Sequence, residues 1–232
     1  MTSLKLPEVF ILASASPRRK ELIRLIGIDP KIEPSALKED VQTSDPAELV
    51  RKLSAQKAAD IASRHHDGEI VIGADTCVYL PPESVAGEIL GKPHTHLEAE
   101  EMVRKLQGRT HEVYTGVTII RCPTTVGQTD GDTATEGDTA GKEGVSADRE
   151  DAGKASTYSF VEKTSVTVYP MTEEEITLYS LLEEPMDKAG AYAVQGVFSR
   201  FIKSLDGDYF NVMGLPLGRL YQELKATGGI EE

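Results

Sequence analysis

The sequence predicts a single α/β domain, and three observations carry that expectation. A short apolar run at 9–12 breaks into small residues and meets Ser16-Pro17, an N-cap followed by proline at the first helical position, so a strand runs straight into a helix N-terminus. Longer apolar runs at 69–80 and 110–121 read as strands, and they alternate with helix starts at Asp45 and Thr95, each followed three residues later by a glutamate in the capping-box pattern, and at Thr172. At 232 residues the chain is long enough to bury one large core around these elements.

The formal net charge is −13, from 25 Lys and Arg against 38 Asp and Glu. Nothing offsets repulsion from a polyanion, so neither a nucleic-acid polymer nor an anionic membrane is expected as a partner. Charges beyond a Debye length, about 8 Å at physiological salt, are largely screened, and a local cluster of cations still serves a small phosphorylated ligand. Cys77 and Cys122 form no disulfide framework and pair with no histidines at zinc-site spacing, which fits reduced thiols in a cytoplasmic protein. The apolar part of FILASAS is shorter than the roughly 7 to 15 residues of a signal-peptide core, and no stretch approaches the ~18 apolar residues of a membrane span.

At the first strand–helix turn, free backbone N–H groups, the hydroxyls of Ser14 and Ser16, and the cations Arg18 and Arg19 converge on one point that suits a phosphate. An ordinary capped helix with solvated arginines fits the same letters. The helix is expected over 17–26, stopped by Gly27, with extended structure at 31–34 and a polar loop at 35–44 carrying Glu39 and Asp40. The next helix, 46–65, places Leu49, Leu53, Lys57 and Ile61 at intervals of four. An ammonium then falls within an apolar stripe, where it either snorkels to water or faces an anion. After the apolar residues 70–72 come Gly73, Ala74, Asp75 and Thr76. Ligands of α/β proteins gather beyond the carboxyl ends of strands, so Asp75 is placed to hold a hydrated divalent metal or take a proton from water, or else to cap the next turn.

Residues 89–93 read as a short strand ending at Lys92, a second phosphate candidate held between glycine and proline. A helix from Thr95 buries Ala99, Met102, Val103 and Leu106, and strands at 110–121 and 158–169 are expected to pair. Between them, 123–157 holds no aromatic residue and no Leu, Ile or Met. Such an acidic low-complexity insert cannot bury enough apolar surface to offset its ordering entropy, and a disordered loop is expected. Further on, the sequence predicts a helix over 172–183, a hairpin over 201–212 turning at Asp206-Gly207, and a closing helix over 214–224. Residues 186–196, MDKAGAYAVQG, set Asp187, Lys188, Tyr192 and Gln195 among small residues, as where backbone packs closely.

LASASPRR, GADT, GKP, EPMDKAGAYAVQG and NVMGLPL, in that order, resemble the Maf-like nucleoside triphosphate pyrophosphatases, and the resemblance covers about 9–224 apart from the insert. It implies an elongated α/β fold with a mixed sheet flanked by helices, like the inosine-triphosphate pyrophosphatases, in one domain spanning 1–232. It also implies a divalent cation, Mg²⁺ or Mn²⁺, a homodimer, and cleavage of a nucleoside triphosphate substrate to monophosphate and pyrophosphate. By resemblance the catalytic base falls on Asp75 and the triphosphate-binding cations on Arg19, Lys57 and Lys92, while the second acidic position falls on Glu39 or Asp40, which the letters do not separate. The pyrimidine-selective branch chooses its base with an arginine, a threonine and a glutamine, which fall on Arg18, Thr76 and Gln195. The resemblance also admits two rival readings: the same reaction on 7-methylguanosine triphosphate, or a non-catalytic nucleotide-sensing regulator of cell division.

Overall fold

The structure is a computed structural model and describes residues 9–82, 87–124 and 155–230. The first half of the chain supplies β1 (Phe10–Leu12), α1 (Pro17–Leu25), β2 (Lys31–Ile32), α2 (Pro46–Ala62), β3 (Ile70–Leu80), β4 (Glu88–Leu90), α3 (His96–Leu106) and β5 (Thr110–Arg121). After the insert come β6 (Ser156–Val168), α4 (Glu173–Ser180), three short 3-10 turns between Glu184 and Phe201, β7 (Ile202–Asp206), α5 (Tyr209–Met213) and α6 (Leu217–Ala226). The strands form one mixed sheet in the order β2-β1-β3-β5-β6-β7, parallel among β1, β2 and β3 and antiparallel beyond.

The feature that positions the site is an interruption on one side of β3. Along its other side, β3 pairs with β5 from Ile70 to Tyr79. On the interrupted side, β1 accompanies it only through the Leu12–Ile72 pair, and β4 joins only at the Val78–Leu90 pair. Among the described residues, 73–77 of β3 have no strand neighbour there. Because β1 runs parallel to β3 and β4 antiparallel, both direct their carboxyl ends into this gap. Chain segments some eighty positions apart, the start of α1 and the turn carrying Lys92, thereby meet across GADT.

Side-chain alternation along β3 assigns its two faces. Leu12, Ile72 and Ala74 share a core with Leu220 and Leu224 of α6, whereas Ile11 and Val71 pack with Ala58 and Ile61 of α2. Helix α2 lies unusually close to the sheet because two positions beneath it have no side chain. A Cβ on Gly73 would meet the Ser54 carbonyl oxygen at 2.4 Å, and one on Gly116 would meet that of Val50 at 2.3 Å. A second apolar cluster joins α3 and α4 to Val78, Val113, Val166 and Phe198 at the other end of the sheet.

Several expectations need correction. The strand read at 69–80 is present as β3, but Asp75 does not lie beyond its carboxyl end; it lies within the strand, though beyond the end of its neighbour β1. The 201–212 segment is not a hairpin. Asp208 caps α5 by accepting from Phe210 N at 2.8 Å, and Gly214 at φ 108° ends it, so the chain turns beneath the sheet after the edge strand β7. Only Thr172 forms a reciprocal capping box; Asp45 and Thr95 cap from one side, with Glu98 accepting from His94 N instead. Of the expected loop 123–157, Ser156 and Thr157 belong to β6 and Thr124 bridges to Asp67, while 125–154 lies outside the described residues.

Candidate active site

The interrupted side of β3 opens into a cleft of about 450 Å³, lined from β3 by Asp75, Thr76, Cys77 and Val78. Residues of α1, α2, β4, β5 and α5 and of the turns at 39, 91–94 and 187–195 complete its walls, and of the residues singled out from sequence for the site it gathers Ser16, Arg18, Arg19, Glu39, Lys57, Lys92 and Gln195. Asp75 projects toward α2, where the Lys57 Nζ meets its Oδ1 at 2.6 Å and Glu39 Oε1 at 2.7 Å. The lysine in the apolar stripe therefore faces two carboxylates. Asp75 is 8% exposed, and burial raises its pKa against the opposing pull of Lys57 and Arg19. For Glu39 burial is also the largest single influence and raises the pKa, but the bond to Lys57 and the charges of Lys57, Lys92 and Arg19 together outweigh it, and the net direction is downward. Of the two carboxylates left open by the sequence, Glu39 is the one at the site; Asp40 does not line the cleft.

Arg19 stands on the opposite face of β3 and is locked by three bonds. Its Nε donates to the Gly214 carbonyl at 2.8 Å, one terminal nitrogen to Ser14 Oγ at 3.2 Å, and the other to Thr76 Oγ1 at 3.0 Å. Thr76 is bonded in turn to Thr115 Oγ1 at 3.0 Å, and Thr115 donates to the Asn211 carbonyl at 3.0 Å. A guanidinium has five N–H donors, so two remain for a ligand, aimed by a scaffold drawn from four elements. Ser14 thus does not face the cleft as expected. It sits behind Arg19 and also accepts from Ser16 N, while Ser16 makes no side-chain cap bond to α1.

The far wall comes from the small-residue segment. Gly190 N donates to the Gly91 carbonyl at 2.9 Å, tying that segment to the Lys92 turn. Arg18 meets Asp187 Oδ2 at 3.3 Å, and Lys188 is paired with the same carboxylate. Glu184 accepts from Val197 N at 2.7 Å, Phe198 N at 3.2 Å and the Tyr179 hydroxyl at 3.0 Å, which fixes the chain just after Gln195. Sequence reasoning gave Glu184, Asp187 and Lys188 no role. A glutamate before a proline carries no mark of its distant partners, but the density of small residues around Asp187-Lys188 was a usable signal. Cys77 and Cys122 are free and buried, with burial pushing their thiols up to about 12 and about 11.

A mixed α/β sheet that sets Arg18, Arg19, Lys57 and Lys92 around one cleft with a buried carboxylate has the charge distribution of a protein that takes a small polyanion. The chain belongs to the Maf-like family, whose model, described as "Maf-like protein", it matches over residues 9–227. It is similar to the dTTP/UTP pyrophosphatase of Lachnoclostridium phytofermentans, 40% identical over 218 residues that cover 94% of each chain. It is likewise 41% identical over 216 residues to the dTTP/UTP pyrophosphatases of Bacillus mycoides and Bacillus anthracis, covering 93% of each chain.

Proposed function

We propose that this chain, as one Maf-like domain, hydrolyses dTTP, UTP and related modified pyrimidine nucleoside triphosphates to the monophosphate and pyrophosphate. The observation that carries the reading is the buried Asp75 on Lys57, placed in the gap where the ends of β1 and β4 bring in Arg19 and Lys92. Asp75 takes the proton of a water that attacks the α-phosphorus. Burial raises its pKa, which makes it a stronger base than an ordinary carboxylate. Lys57, Lys92 and the outward donors of Arg19 neutralise the triphosphate and the charge that develops on the departing pyrophosphate. No covalent nucleophile is required.

Asp75 and Glu39 share one ammonium at 2.6 and 2.7 Å, which marks a spot between two carboxylates where a cation is already favoured. That donor set fits Mg²⁺ or Mn²⁺, which takes one or two carboxylates and completes its shell with phosphate oxygens and water. Among the described residues no group of three or more His, Cys, Asp or Glu could hold a metal, so this reading rests on two carboxylates with the substrate supplying the rest. When bound, the ion supplies charge neutralisation at the phosphoryl oxygens. A homodimer and a cytoplasmic location go with the family reading; no helix among the described residues is long and apolar enough to cross a membrane.

Gln195, which lines the same cleft as Asp75, carries one donor and one acceptor group, a match for the adjacent N–H and carbonyl of a uracil or thymine edge. Arg18 lines the same cleft, and Thr76 contributes to base choice by holding Arg19 in place. Gln195→Glu is expected to lower kcat/KM for UTP and dTTP by roughly 10- to 100-fold, because the donor is replaced by a charge that repels the base carbonyl. Pyrophosphate release measured across UTP, dTTP, CTP, GTP and 7-methylguanosine triphosphate tests both points. A wild type that favours the methylated purine, or a variant with an unaltered ranking, counts against the assignment.

The insert is proposed to be dispensable to this domain. It joins β5 and β6 at the end where Arg121 pairs with Ile70, which lies along β3 from Asp75 and outside the cleft. Deleting 125–154 is expected to leave solubility and turnover nearly unchanged, since the length of a connection contributes only weakly to stability. Loss of most activity in the shortened chain would make the segment part of the working structure.

A further inference from the structure

His111 is fully buried on β5, at 0% exposure, in the apolar cluster around Phe198 and Val166. Its one polar partner is the Tyr192 hydroxyl, 2.7 Å from Nε2, with the rings edge-on at 5.2 Å between centroids. The other ring nitrogen, Nδ1, has no partner among the described residues. Whichever tautomer is present, a core imidazole with one orphaned nitrogen costs free energy that a phenylalanine there would not. Burial pushes the imidazole down to about 3, so the group is neutral at any working pH and the bond does not come and go with protonation.

A second cost is concentrated at the same place. Ala191, also fully buried, has φ 58°, a left-handed conformation that disfavours any residue with a Cβ, and it follows Gly190 at φ 66°. These two residues turn the chain so that Tyr192 enters the cleft wall, with its ring resting on Phe198 at 4.9 Å between centroids. Gln195 follows three positions on. An orphaned imidazole nitrogen and a strained alanine, both bearing on one tyrosine, are features that packing alone does not call for.

We infer that His111 is a positioning residue for the base-binding wall: through its bond to the Tyr192 hydroxyl it fixes the tyrosine ring, and the 192–195 stretch behind it, against the nucleobase. The inference rests on the pyrophosphatase reading for the identity of the ligand, and it assigns His111 no contact with substrate. Asp75, Lys57 and Arg19 lie on other elements, so loosening this wall weakens substrate binding and leaves the chemical step alone.

The test is steady-state pyrophosphate release from UTP and dTTP by wild type, His111→Phe, His111→Gln, Tyr192→Phe and the double variant, each with a thermal melt. Tyr192→Phe and His111→Phe are expected to raise KM by roughly 5- to 10-fold with kcat changed less than ~2-fold, on the scale of one lost hydrogen bond. His111→Gln keeps an N–H and an acceptor and should recover part of the loss. The double variant should be no worse than either single one, as for two members of one interaction. A normal KM in Tyr192→Phe overturns the inference whether or not His111→Phe folds, and so does a melting loss in folded variants with KM unmoved. The same variants are titrated with a non-hydrolysable UTP analogue, and Kd should follow the KM pattern. A wild type that binds the analogue but releases no pyrophosphate overturns the pyrophosphatase reading, while the Kd series still decides for or against His111.

Discussion

Asp75→Asn is expected to lower pyrophosphate release by at least ~10²-fold while leaving the protein folded and nucleotide binding largely intact. An amide accepts no proton at working pH and holds a divalent ion less firmly, yet it fills the same space above Lys57. Stability should respond in the opposite direction from activity. Burial holds the Asp75 carboxyl above its ordinary range, against the pull of Lys57 and Arg19. The folded chain therefore binds that proton more tightly than the unfolded chain, and this group's contribution to stability falls as pH rises from the ordinary carboxylate range through the raised value. Asparagine removes the ionisation, so at neutral pH the variant should melt as high as the wild type or higher. Calorimetry at several pH values beside a single-turnover assay checks both halves. Near-normal turnover takes Asp75 out of the mechanism.

Lys57→Met carries the next largest expected effect, a loss of ~10²-fold or more in kcat/KM, because it removes the cation that bridges Asp75 and Glu39 and that the proposed reaction uses to neutralise the triphosphate. Methionine preserves much of the stem and removes the charge. Two carboxylates then face each other without a counter-ion, and Asp75 loses the first of the attractions that oppose its burial. Its pKa should climb further, so the acid limb of the kcat/KM profile moves to higher pH. A profile that falls in height without moving along the pH axis would mean that Lys57 serves the phosphates alone and does not tune the base.

What could be read from the letters is mostly what is local. The strand–turn–helix at 9–19, the caps at Asp45, Thr95 and Thr172, and the pairing of β5 with β6 all follow from periodicity and short-range hydrogen bonding, and all are present. The segment after β7 misled because Asp206-Gly207 is a genuine turn. The Asp208 cap and Gly214 then make one helical turn from residues whose alternation also suits a strand. At the site, Asp75, Lys57, Lys92 and Arg19 were legible as residue types in telling places, but their grouping was not. It depends on where β1 stops and β4 begins against β3, a property of non-local pairing. For the same reason the letters alone show neither that the Ser14 hydroxyl serves Arg19 nor that Lys57 pairs with Glu39 in place of Asp40.

The interruption in β3 also says where this chain tolerates a change of length. Residues 73–77 span about 17 Å at roughly 3.4 Å per residue, and the two strand ends that bound the opening are its jambs. One extra residue pair on β1 or β4 would shift Arg19 or Lys92 by about 3.4 Å and reverse the faces of everything attached, because side chains alternate. The turns at 13–16 and 91–95 are therefore fixed in count as well as in composition. Length can be spent away from the opening, and the Arg121–Ser156 pair, which bounds the long acidic stretch of the sequence, is such a place. Tolerance to insertion along this chain is thus a map of distance from the doorway, laid out by strand register before any side chain is chosen.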